Sequence, residues 1–263
     1  MTLITPYFPG VLQSLDEEGS QTQTQSLLHI NGDKRIQDIF ELIDSSLKSI
    51  AGINFQNETT CENERTIQYL GCRIFNSSVS AVKLAVCGFY QSGFSQIRDL
   101  VETGFLLDYF SHEPSKVEIW RNSTHEVRRK QFAPKKVRED LDKRDGFKER
   151  KRDRIYQALC EFATHPTYSG FSLIAQNGFV KIGPFFDPRL LERFSEEMVL
   201  RLPVAVLYFL ESQKQLPEST LELRHEFLCK LGIFNNVHLG MQRNSNVQDL
   251  GDLMKNAITK KYL

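Results

Sequence analysis

The 263-residue chain has no long apolar run, no cysteine pair, a single tryptophan and no net charge. Each shortage excludes something. The longest purely apolar stretch, 202–210, is nine residues with Pro203 inside it. A membrane span needs about 20, so none is expected. Residues 1–10 carry neither a basic start nor an apolar core, so no secretory leader is expected either. The cysteines (Cys61, Cys72, Cys87, Cys160 and Cys229) are odd in number, scattered, and never spaced as C-x-x-C. They read as reduced, mostly buried thiols of a cytoplasmic protein, not as a disulfide framework or zinc site. Lysine plus arginine equals aspartate plus glutamate, 33 against 33, so global charge points to no acidic partner.

Chemical signatures are missing as well. There is no G-x-x-x-x-G-K-[ST] loop, no G-x-G-x-x-G after a strand, no H-E-x-x-H and no G-x-S-x-G. The common NTPase, dehydrogenase, zinc protease and α/β-hydrolase readings therefore lose their footing. No cofactor and no metal are expected.

What is present belongs to an ordinary globular protein: 40% hydrophobic and 25% charged residues, with nineteen phenylalanines for a sizeable core. Residues 1–30 read as a flexible tail, because Gln21 to Ser26 is polar and of low complexity. Ile36, Ile39, Phe40, Ile43, Leu47 and Ile50 then recur at helical spacing, with Gly52 suited to the helix end. A second helix is expected over about 64–89, its face thinned by Gly71, Ser78 and Ala81 for close approach of another helix. Ser92-Gly93 reads as a break before a third helix over about 94–110, making an antiparallel hairpin. A helix opened by Pro114 carries Trp120. Another, over about 147–164, sends Ile155, Leu159 and Phe162 inward and stops before Pro166. Asn177-Gly178 between two β-prone runs predicts a hairpin with a type I′ turn. Asp187 caps a helix with Pro188 at its first position, expected to kink at Pro203. Two shorter helices, about 218–231 and 246–259, close the chain.

The third helix holds the most informative pattern. Arg98 falls inside the apolar arc of Phe94, Val101 and Phe105, and Glu102 lies one turn on. An isolated buried charge costs several kcal/mol, so such an arginine is paired or faces a cavity. It is either a structural ion pair or an anion-facing group held by Glu102. His165 ends a helix, where the dipole favours a cationic ring, and reads as a cap or an acid-base group, with Glu161 one turn earlier. Arg121 and His125 lie four apart, as a functional pair or as solvated residues beside a Ser123/Glu126 capping box. Residues 128–154 carry 13 basic against 6 acidic side chains. Arg128, Arg129, Lys130, Lys135 and Lys136 are thus candidates for phosphate contacts, although nearly no aromatics accompany them.

A small-residue helix, then Gly88 to Gly93, then Ile97-Arg98-Asp99-Leu100-Val101-Glu102, Tyr109, Trp120, and finally Leu159 to Pro166 with the hairpin form one pattern over about 65–212. It resembles a family of uncharacterised, mostly bacterial helical proteins, which is similar to the HEPN group of bundles. Many of that group are RNA-cleaving toxins or defence proteins, and they often pair. The resemblance implies a shared polar site at Arg98, Glu102 and His165, an RNA or protein partner, and a homodimer. HEPN nucleases carry an arginine and a histidine on one helix with four to six residues between them. None of the six histidines here has that spacing, and Arg121 to His125 has three intervening residues.

The expected architecture is a mostly α-helical bundle of about seven helices with one inserted β-hairpin. A tail over 1–30 precedes one helical domain over 31–263, with a family-like core about 65–212 and C-terminal helices in 213–263. Two functions stay open: a HEPN-like binding or regulatory module of a bacterial defence or stress system, or a divergent ribonuclease using Arg98 and His165.

Overall fold

The computed structural model describes residues 9–56, 59, 61–213 and 218–240. Ten α-helices and one two-stranded hairpin are found among them, more helices than the seven expected. They are α1 (Gly10–Gly32), α2 (Lys34–Gln56), α3 (Glu62–Val86), α4 (Tyr90–His112) and α5 (Ser115–Asn122), then α6 (His125–Gln131), α7 (Pro134–Arg144), α8 (Lys151–Leu159), α9 (Pro188–Glu211) and α10 (Leu221–His238). The hairpin strands are β1 (Ala175–Gln176) and β2 (Phe179–Val180).

The surplus has two sources. The segment read as a tail is helical from Gly10 onward, and α1 buries Thr22, Ser26 and Ile30. That strip is too polar to register as an apolar stripe, yet small enough to let the helix dock, so tertiary packing overrides composition. The basic segment also divides, into α6 and α7. The helix expected over 246–259 lies outside the described residues.

Helices α2, α3, α4 and α9 form the central layer. Ile39, Ile50, Ile74, Ile97, Leu100, Phe110, Phe194 and Phe209 are all but fully buried within it, each worth roughly 1.5–3 kcal/mol relative to exposure. α3 and α4 run antiparallel, with Gly93 against Ala81 and Ala85 near the turn and Arg73 meeting Asp99 further along. The break between them lies at Cys87–Phe89, where Gly88 takes a φ of +88°. Gly93 is instead inside α4, where the absence of a Cβ lets the two backbones approach.

α4 and α9 run parallel. Phe94 packs edge-on to Phe194, Gly104 faces Ala205, and the Ser212 hydroxyl donates to the Leu107 carbonyl. Their N-termini are joined by Tyr90, whose hydroxyl donates to the Asp187 carbonyl at 3.2 Å and accepts from the Asp187 N–H at 3.1 Å. Burial pushes that phenol up to about 12. Asp187 caps α9 as expected, its carboxylate accepting from the N–H groups of Arg189 and Leu190. The helix continues through Pro203.

α10 lies antiparallel on α2, tied by Ser49 to the Leu223 carbonyl at one end and by His238 to Asp38 at the other. Gln176 pairs with Phe179 across the turn, where Asn177 and Gly178 take φ of +53° and +81°. The strands are shorter than expected, because Ser169–Ile174 forms a 3-10 turn. Among the described residues no helix is long and apolar enough to cross a membrane. All five cysteines are free, and only Cys160 is buried.

Candidate functional site

α5, α7 and α8 pack as a second layer on α3 and α4, with α6 against α7, and polar side chains lie between the layers. Arg98 pairs with Glu102 at 3.1 Å, as their one-turn spacing implies, with both side chains half-buried. Tyr156 of α8 and Cys160 of the turn that follows it complete the cluster. The Tyr156 hydroxyl accepts from Arg98 and donates to Glu102 at 3.3 Å, and Cys160 Sγ accepts from Arg98 Nε at 3.3 Å. Burial, with the Glu102 charge behind it, raises the Tyr156 phenol above its ordinary range, so it remains a donor. The Tyr156 ring stacks under Arg138 of α7, whose guanidinium carbon lies 3.9 Å from its centroid.

His165 is not brought to this cluster. α8 ends in a π-turn over Cys160–Thr164, closed by the His165 N–H to the Cys160 carbonyl at 2.8 Å. The turn inserts a residue relative to α-helical phase, which turns Phe162 out toward solvent instead of into the core. The imidazole of His165 is exposed and forms no hydrogen bond or ion pair with Arg98 or Glu102. Glu161 accepts from Ser169 rather than orienting that ring. Arg121 and His125 fall on separate helices, α5 and α6, and the cap of α6 is Thr124, accepting from the Val127 N–H.

A cleft of about 550 Å³ opens beside the cluster, bounded by α3, α4 and α5 to α7. Its walls differ in chemistry. Trp120, Phe105, Phe132 and Val137 give an apolar side, Asp99 and Glu102 line the α4 side, and Arg73, Arg128, Arg129 and Arg138 supply cations, with His125 at the α6 side. Arg73 is neutralised by Asp99, which also accepts from Ser77 at 2.5 Å. Arg138 is only 3% exposed, and its Nε and Nη2 donate to Asp153 at 3.3 and 3.0 Å. Its Nη1 is buried with no hydrogen-bond partner. Leaving such a donor unmade costs about 1–3 kcal/mol.

Of the five basic residues considered for phosphate contacts, Arg128 and Arg129 line the cleft. The lysines do not. Lys130 pairs with Glu126, Lys135 with Glu139 and Lys136 with Asp140, each one turn apart on exposed helix faces.

Sequence reasoning missed a buried network that holds this layer in place. Asp108 of α4, fully buried, accepts from Arg144 Nη1 at 2.8 Å and from Arg152 Nη2 at 3.3 Å. Arg152, at 1% exposure, also reaches Asp142 at 3.0 Å and contacts Asp145. Burial works against the charge of Arg144 and Arg152, but the surrounding carboxylates outweigh it and raise both. Burial also raises the phenol of Tyr208, which faces Asp108 and Arg152 from α9. Three carboxylates and two guanidiniums thus fasten α7 and α8 to α4. Among the described residues no group of three or more histidine, cysteine, aspartate or glutamate side chains is placed to hold a metal ion.

Compared with protein-family models, curated proteins and solved structures, this chain matches none.

Proposed function

We propose that the protein is a helical binding module whose cleft between α4 and the α5–α7 layer captures an anionic ligand. The observation that carries this reading is the pair Arg128 and Arg129 on the cleft wall, neither with a carboxylate partner among the described residues.

A ligand that binds only the folded state stabilises it by about 2.7 kcal/mol at a hundredfold excess over Kd. The test is a melting series with phosphate, pyrophosphate, sulfate and citrate on wild type and an Arg128→Ala/Arg129→Ala double variant. A rise of several degrees in wild type that disappears in the variant is expected. No rise with any anion, or an equal rise in both proteins, sinks the reading.

The second reading is RNA cleavage by Arg98 and His165, whose exposed imidazole would meet substrate apart from the Arg98 cluster. Arg98 donates to the Cys160 side chain, and the His165 N–H closes on the Cys160 carbonyl, so one short segment carries both contacts. In that reading His165 exchanges the proton of the ribose 2′-hydroxyl and Arg98 stabilises phosphate charge. A metal-free gel assay on labelled single-stranded RNA decides it: cleavage lost in a folded His165→Ala variant supports it, and an intact substrate with wild type refutes it.

A further inference from the structure

The β-hairpin leaves one edge without a partner. The Lys181 N–H donates to the Ile174 carbonyl at 2.9 Å, which makes these two a hydrogen-bonded pair. In an antiparallel ladder such pairs alternate with pairs whose backbone groups point outward. Ala175 and Val180 are the next pair, so the N–H and carbonyl of Val180 point away from β1. By the same period of two, Ile182 follows in that phase, and Gly183, at a φ of +84°, ends the run. No group among the described residues meets the outward backbone atoms of Val180 or Ile182. β1 is half-buried against the body, whereas Phe179, Val180 and Ile182 are 74%, 73% and 94% exposed. Folded proteins shield such an edge with charge, proline, a bulge or a covering element, because it is a template for another strand. Here Lys181 is the only charge over 179–182.

The surroundings define what an added strand would carry. Leu15 of α1 lies against Gly183, at the end of the open edge. Val11 and Leu12 share the α1 face of Leu15, which further along buries Gly19, Thr22 and Ser26. They are nevertheless 75% and 47% exposed. The docking face of α1 thus runs out past the body, apolar and uncovered, where the open strand ends. Charge is the third feature. α1 holds Asp16, Glu17 and Glu18 and no lysine or arginine. Glu17 and Glu18 accept from the neutral Gln13 and Ser14, and none of the three carboxylates forms an ion pair among the described residues. Glu18 also reaches the strand, its Oε2 standing 3.6 Å from where a Cβ at Gly183 would sit. An incoming segment therefore meets unpaired backbone groups, an apolar wall and uncompensated negative charge.

We propose that the open edge of β2 takes up an extended, apolar and basic segment of a partner protein as a third strand. Its main chain pairs with Val180 and Ile182, its apolar side chains cover Val11, Leu12 and Ile182, and its cations face the three carboxylates of α1. This surface shares no residue with the cleft, so its test is independent of the anion reading.

Two fluorescein-labelled nonapeptides, one alternating valine with lysine and one alternating valine with glutamate, are titrated into the full chain and followed by anisotropy. The lysine peptide is expected to bind at least about tenfold more tightly than the glutamate peptide and to slow amide hydrogen exchange at Val180 and Ile182. Val180→Pro removes an outward N–H and spares the bond from Lys181 to Ile174, so it is expected to weaken binding about tenfold. Neutralising the acids together, as Asp16→Asn, Glu17→Gln and Glu18→Gln, is expected to weaken it and to flatten its dependence on salt. All four positions are exposed, and circular dichroism checks that each variant is folded.

Unchanged binding in a folded Val180→Pro variant, or binding without protection of the two amides, overturns strand addition. Equal binding of the glutamate peptide overturns the basic partner. No binding of either peptide overturns the proposal as a whole. So does protection of Val180 that grows with protein concentration alone, which assigns the edge to a second copy of the chain.

Discussion

Replacing Arg152 by alanine removes the centre of the buried network. Arg152 is 1% exposed and reaches Asp108, Asp142 and Asp145. Asp108 and Asp145 keep Arg144 after the substitution, whereas the Asp142 side chain has no other partner among the described residues. Two carboxylates then share one guanidinium and Asp142 is left unpaired, with Asp108 at 0% and Asp142 at 5% exposure. Breaking a buried pair from one side costs about 3–5 kcal/mol, because the surviving charge stays dehydrated. The lost packing of the aliphatic stem adds to this. At about 2–4 °C per kcal/mol for a chain of this size, melting should fall by about 10 °C or more. Calorimetry or circular dichroism on both proteins measures it. Adding Asp142→Ala should restore part of the loss, giving a coupling of about 1–3 kcal/mol. Arg152→Lys should not rescue, since one ammonium cannot address three carboxylates held around a planar fork. A loss below about 1 kcal/mol, or a coupling near zero, would mean that water reaches the cluster and that the network does not fasten α7 and α8.

Other consequences are smaller but equally direct. Gly71→Ala would put a Cβ 2.4 Å from the fully buried ring of Phe209, so overpacking should cost about 1–3 kcal/mol in denaturant titration; a neutral result would show that α3 and α9 can part freely. Asp145 is half-buried, yet Arg144 and Arg152 hold its carboxyl below the usual 3.8. Its stabilising contribution is therefore complete above that value and lost as pH falls through the lower folded pKa; melting temperature against pH should drop more gently in Asp145→Asn over that acid range. His165→Ala, at an exposed side chain without partners, should leave melting within about 0.5 kcal/mol of wild type. A larger loss would refute its reading as a side chain free of structural duty.

The central layer was legible because its helices obey a simple period. Ile36, Ile39, Ile43 and Ile50 of α2 and Phe94, Ile97, Val101 and Phe105 of α4 are buried as their spacing implies. The Arg98–Glu102 pair followed from the same wheel. The identical signal was available at Asp108, which continues the 101–105 stripe of α4, and at Arg138 and Asp142, which adjoin Val137 and Leu141 of α7. A charge inside an apolar arc announces a buried partner or network, and at Arg138 and Asp142 the surrounding basic run masks that signal. Three features had no local signature. α1 docks through small polar residues, the π-turn after α8 shifts phase without a marker residue, and Tyr156 enters the site only through tertiary packing.

The basic run itself shows why composition alone misplaces a binding surface. Within 128–154, Arg138, Arg144, Arg150, Arg152 and Arg154 each find a carboxylate, one of them Asp108 on another helix, and three lysines find theirs one turn away. Most of the local excess is therefore consumed by structure or solvated in exposed pairs worth little. What can act on a ligand is the part left over beside a cavity. Arg128 and Arg129 meet that condition, whereas Arg138 on the same wall is already paired with Asp153. The useful question for such a segment is which cations stand beside a cavity once the ion pairs have formed, and here Arg128 and Arg129 do.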